Sequence, residues 1–143
     1  GSQCATFDAI VTDPPYGLME GLGPFYQPLR ERLTQLLALA CRRLRVGGRL
    51  VFLLPLPPSV RATDAFPSQG LPTSRWLQVE TVSRQHLSQR MHRLMVTVVK
   101  VAEPPADELR DALADSSHAE WSKWWTVVDS IERMIAPEAR RVW

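Results

Sequence analysis

The chain has 143 residues, of which 45% are hydrophobic and 22% charged, with a formal net charge of +2. That length and balance suit one globular domain with a single core, and a nearly neutral total neither demands nor excludes nucleic acid, which needs a basic patch rather than a basic sum. The two cysteines, Cys4 and Cys41, stand far apart with no metal spacing and read as ordinary thiols of a reducing compartment, and neither a membrane-spanning apolar run nor a signal peptide is expected.

In chain order, Phe7-Asp8-Ala9-Ile10-Val11-Thr12 reads as a short buried strand. It stops at Asp13-Pro14-Pro15-Tyr16-Gly17. Two successive prolines fix two φ angles and remove two N–H donors, and Asp13, preceding a proline, is held extended. The result is a stiff tip at the carboxyl end of a strand, where open α/β sheets bind ligands. It offers a carboxylate, backbone carbonyls and an aromatic face. A planar exocyclic amine has two N–H donors, and the Asp13 carboxylate and the Pro14 carbonyl are two rigidly spaced acceptors for them. Tyr16 is suited to stack on the attached ring, worth about 1–3 kcal/mol per base. This is positioning and electrostatic preorganisation rather than covalent catalysis.

Leu18 to Pro24, with its glycines, is a loop, and Gly21-Leu22-Gly23 is not a dinucleotide fingerprint. From about Phe25 to Leu44 an amphipathic helix is predicted, with Leu29, Leu33, Leu36, Leu37, Ala40 and Leu44 on one face. Arg42, Arg43 and Arg45 suit its negative C-terminus, and Gly47-Gly48 ends it. Arg49 to Leu54 is a second apolar strand, so strand, helix and strand form a parallel unit. Pro55, Pro57 and Pro58 stop it, and the Pro/Ser/Thr-rich stretch to Ser74 is expected to be irregular chain where a crossover helix would normally run. Trp76 to Val82 and Arg93 to Val101 are two further strands. The segment between them, Ser83 to His92, is expected to be too long for a tight hairpin, and His86 and His92 read as surface histidines without metal partners. Pro104-Pro105 marks a boundary. Asp107 to Ala114 suits a short helix, and His118 to Ile135 a longer one carrying Trp121, Trp124, Trp125, Val128, Ile131 and Ile135 as an apolar stripe that packs on a core or a partner.

Asp13-Pro14-Pro15-Tyr16 resembles the fourth motif of the S-adenosylmethionine-dependent amino-methyltransferases. More narrowly, Asp8 to Gly17, then Val46-Gly47-Gly48-Arg49-Leu50-Val51, then Leu87-Ser88-Gln89-Arg90 leading into a final strand, are similar in order and spacing to the tRNA guanine-N2 methyltransferases of the guanosine-10 type. The sequence departs from that family in having Met19 two residues after the motif glycine, Gly17, where an Arg usually stands. The resemblance implies the C-terminal half of a Rossmann-like class I methyltransferase sheet: four strands in the full domain's order four-five-seven-six, the last antiparallel between its neighbours, followed by C-terminal helices. Residues 1–103 are then the partial catalytic domain and 104–143 a helical extension.

The resemblance also implies Asp13, Pro14, Pro15 and Tyr16 as catalytic residues, Asp13 and Pro14 as cofactor contacts, and Gly17, Arg84 and Arg90 as substrate contacts, Arg84 and Arg90 holding RNA phosphate. It implies S-adenosylmethionine as cofactor in the complete domain, tRNA as substrate, a small zinc-binding activator protein as partner, and a cytoplasmic setting. The glycine-rich cofactor turn of such a domain is absent from the sequence, so this chain alone is expected to bind the cofactor poorly and to be inactive. Two readings stay open: part of a tRNA methyltransferase, or a non-catalytic half-domain acting as scaffold or binding module. A fragment of another amino-methyltransferase, acting on DNA, rRNA or protein glutamine, is a further alternative. Association is expected through the exposed sheet edge or the tryptophan helix.

Overall fold

The computed structural model describes residues 5–13, 29–56, 74–89, 92–115 and 118–125. The described residues form a four-stranded mixed sheet with helices: β1 (Phe7–Thr12), α1 (Leu29–Arg43), β2 (Leu44–Leu56), β3 (Leu77–His86), β4 (His92–Lys100) and α2 (Ala106–Ala114), then a 3-10 turn at Ala119–Trp121 that continues helically through 122–125. The sheet order is β1-β2-β4-β3. β1 and β2 are parallel, and β4 is antiparallel to both β2 and β3. This is the expected order, with the last strand inserted between its neighbours.

β4 is central because it can bury one side completely: His92, Leu94, Val96, Val98 and Lys100 are buried, alternating with half-buried Arg93, Met95, Thr97 and Val99. Leu50, Phe52 and Leu54 of β2 and Leu77 and Val79 of β3 extend the same face. α1 covers it with Leu33, Leu37, Ala40 and Cys41. The tail closes the core, since Leu109, Ala112, Trp121, Trp124 and Trp125 belong to the same buried cluster. Trp121 packs edge-on against Trp76 with ring centroids 6.1 Å apart, and its Nε1 donates to the Ala112 carbonyl at 2.7 Å. Arg75 joins Glu108 of α2 and Glu120 of the turn, fastening the start of β3 to both tail elements. The described tryptophans are therefore core residues and leave no exposed tryptophan contact surface. Val128, Ile131 and Ile135 lie outside the described residues.

Three expectations need correction. β1 lies at the edge, as the expected order places it, but its side chains are not buried: Phe7 is 48% and Val11 75% exposed. Its apolar sequence suits a covered position, but only β2 pairs with it among the described residues. β2 begins at Leu44 rather than Arg49, and Gly47-Gly48 lies inside it. The parallel register jumps there, from Phe7↔Leu44 to Ala9↔Arg49. Gly47 takes φ +85, and a Cβ on Gly48 would come within 2.9 Å of the Arg45 carbonyl and 3.0 Å of the Asp8 carbonyl. The glycines thus serve a bulge that brings β1 against β2, not a helix stop. Finally, β3 runs on to His86, and His86 pairs directly with His92 in a β3–β4 hairpin. Ser83-Arg84-Gln85-His86 reads as a loop because it is polar, yet an edge strand tolerates polar residues. No described helix is long and apolar enough to cross a membrane.

Candidate functional site

The parallel pair β1–β2 points its carboxyl ends toward the hairpin end of the sheet, where β3 finishes and β4 starts. Asp13 follows β1 directly. Its carboxylate is 61% exposed, and Arg93 Nη1 donates to its Oδ2 at 3.2 Å. Arg93 Nη2 donates to Gln85 Oε1 at 3.3 Å. Arg93 is the cross-strand partner of both Pro55 and Gln85, so one guanidinium ties β3 to the chain just beyond β1. Asp13 therefore stands at the solvent edge of the sheet and not in the apolar interior.

A second polar group occupies the opposite face of the same end. Arg84, His86 and His92 share parity with the buried Leu54 and Leu94. Arg84 Nε donates to His92 Nδ1 at 2.8 Å, and His92 Nε2 lies 3.1 Å from His86 Nδ1. Because Nδ1 of His92 accepts, its neutral imidazole carries the proton on Nε2 and donates to His86. Burial, reinforced by His86 and Arg84, holds the His92 pKa below the usual 6.5. That proton placement disfavours a metal ion bridging the two rings, since a ligating Nε2 has no proton to donate. Among the described residues no group of three His, Cys, Asp or Glu side chains could hold a metal.

Of the residues expected at the site, Asp13 and Arg84 are described. Pro14, Pro15, Tyr16, Gly17 and Arg90 lie outside the described residues. Arg84 sits on the face opposite Arg93 and Asp13 and directs its Nε to His92. Arg93 and Gln85 were not singled out by the sequence. The available signal was parity: counted from buried Leu94, Arg93 falls on the other side of β4, level with the end of β1. The described residues do not compose a site for S-adenosylmethionine by themselves. Gly47 and Gly48 lie inside a strand at a bulge, not between a strand and a helix N-terminus where a cofactor's polar end would be held.

No protein-family model matches the chain, and no solved structure matches it. Two curated proteins do. The tRNA (guanine(10)-N(2))-methyltransferase TRMT11 of Dictyostelium discoideum is 34% identical over 122 aligned residues, covering 68% of this chain and 23% of the relative. The protein of the same name from Gallus gallus is 28% identical over 134 residues, covering 78% of this chain and 28% of the relative. The chain thus spans about a quarter of the length of these relatives. In sequence it is a partial relative of the tRNA (guanine(10)-N(2))-methyltransferases.

Proposed function

We propose that this chain supplies the amine-gripping edge of a tRNA guanine-N2 methyltransferase, the methyl donor in the whole protein being S-adenosylmethionine. The Asp13 carboxylate and the Pro14 carbonyl accept the two hydrogens of the guanine amino group. Tyr16 stacks on the base, with Pro15 and Gly17 assigned to the same site by the resemblance. Arg90 contacts RNA phosphate, whereas the Arg84 bond to His92 favours a structural role for Arg84. tRNA is the substrate, and the resemblance adds a small zinc-binding activator as partner.

The observation that carries this reading is the position of Asp13. A carboxylate just past the carboxyl end of a parallel strand, open to solvent and braced on one oxygen by Arg93, supports the reading of Asp13 as an acceptor for a ligand. The two relatives, named for methyl transfer to the N2 of guanine 10 in tRNA, support the same chemistry. The described residues do not by themselves assemble a cofactor cradle. In the full-length protein, Asp13→Ala is expected to abolish methyl transfer to tRNA while circular dichroism and thermal melting stay unchanged. Full activity in that variant eliminates the reading.

A further inference from the structure

Arg93 holds Asp13 across 80 positions of sequence, and the geometry around it is lopsided. One terminal nitrogen donates to Asp13 Oδ2 and the other to Gln85 Oε1. The third nitrogen, Nε, is buried and has no partner among the described residues. The Arg93 side chain is 28% exposed and that of Asp13 61%. An ion pair this open to water adds little to stability, and a buried guanidinium nitrogen without an acceptor subtracts from it. Holding the fold together therefore does not account for the arrangement.

We propose that Arg93 is a positioning residue for Asp13, fixing the carboxylate so that Oδ1 is presented to the exocyclic amine. This rests on the reading of Asp13 given above. An aspartate at the end of a strand turns freely about χ1 and χ2 unless one oxygen is tied. Arg93 is suited to tie it because it projects from the central strand, whose pairing on both sides fixes its Cα. Gln85 supplies the opposing hold, so the guanidinium plane is held between two acceptors rather than hinged on one. The carboxylate oxygen left over is then the acceptor whose placement decides how well the amine nitrogen is aligned. Misplacing a reacting group by about 1 Å costs on the order of 10²-fold in rate.

The test uses the full-length protein, with tRNA and S-adenosylmethionine. Arg93→Met keeps the apolar stem and removes the guanidinium. It is expected to lower kcat on the order of 10²-fold, to leave KM for tRNA within about threefold, and to leave the melting temperature unchanged. Arg93→Lys is expected to recover part of the loss. In an Asp13→Asn background, Arg93→Met is expected to add no further loss, because the two residues act as one unit. Gln85→Leu is expected to give the same KM-sparing fall at smaller amplitude, and it carries the test if Arg93→Met destabilises the fold. Wild-type kcat in Arg93→Met beside an inactive Asp13→Ala overturns the role of Arg93 alone, as do fully multiplicative losses in the double variant. An active Asp13→Ala overturns the underlying reading and this inference with it.

Discussion

Lys100 is the residue whose replacement tests the packing argument most sharply. It lies 1% exposed at the end of β4, and its Nζ donates to the carbonyls of Cys41 and Leu44, each at 2.8 Å. These carbonyls belong to the last turn of α1 and the residue following it, where helical partners run out. Glu103 approaches Nζ at 2.9 Å from a side chain that is 67% exposed. Lys100→Met keeps a linear stem of similar bulk and removes the donor. Two buried acceptors are then stranded, at about 1–3 kcal/mol each, and the helix loses a cation at its negative end, worth roughly 0.3–2 kcal/mol. Relief of the lysine's own desolvation offsets part of this. A net loss of about 2–5 kcal/mol is expected, a large share of the roughly 5–15 kcal/mol that holds a typical domain. Urea unfolding of the 143-residue chain followed by tryptophan fluorescence should show a lower midpoint with an unchanged slope. Glu103→Gln, which touches only the exposed partner, should shift stability by less than about 1 kcal/mol. If Lys100→Met melts within about 1 kcal/mol of the parent chain, the claim that the β4 lysine caps α1 is wrong.

Two further outcomes follow from buried groups. Burial pushes the Cys41 thiol up to about 12, with Lys100 opposing the shift more weakly, so Cys41 should resist iodoacetamide at pH 8 in the folded chain and react on unfolding, as peptide mass spectrometry would read; rapid native labelling contradicts its burial. His92, whose folded pKa is depressed, stays neutral where the unfolded chain takes up a proton. Its contribution to stability is therefore complete above the ordinary value of 6.5 and is lost as pH falls through that value toward the folded pKa. His92→Gln should flatten the dependence of the urea midpoint over that window, and an unchanged slope refutes the assignment.

Much of the fold was legible because periodicity and backbone restriction act locally. The face of α1 read from Leu33, Leu37 and Ala40 is the face it buries, since 3.6-residue spacing admits few alternatives. The strand order was legible only through resemblance to a family, because no local pattern says which strand lies beside which. What failed was where local chemistry and tertiary context disagree. Ser83 to His86 has loop composition, but pairing with β4 and an edge position make it a strand. Gly47-Gly48 has the signature of a helix terminator, but close approach to β1 makes it a bulge. Asp13 could be singled out because the two prolines that follow it mark the spot. Arg93 could not, since its significance depends on a contact made 80 residues away.

The indole cluster has an optical consequence. Trp76, Trp121, Trp124 and Trp125 share one dry neighbourhood beneath the sheet, and three of the four come from the segment after β4. Peeling that segment away would wet all of them together. Emission colour would then shift to the red before the strands lost their circular-dichroism signal, giving a built-in gauge of whether the tail is seated.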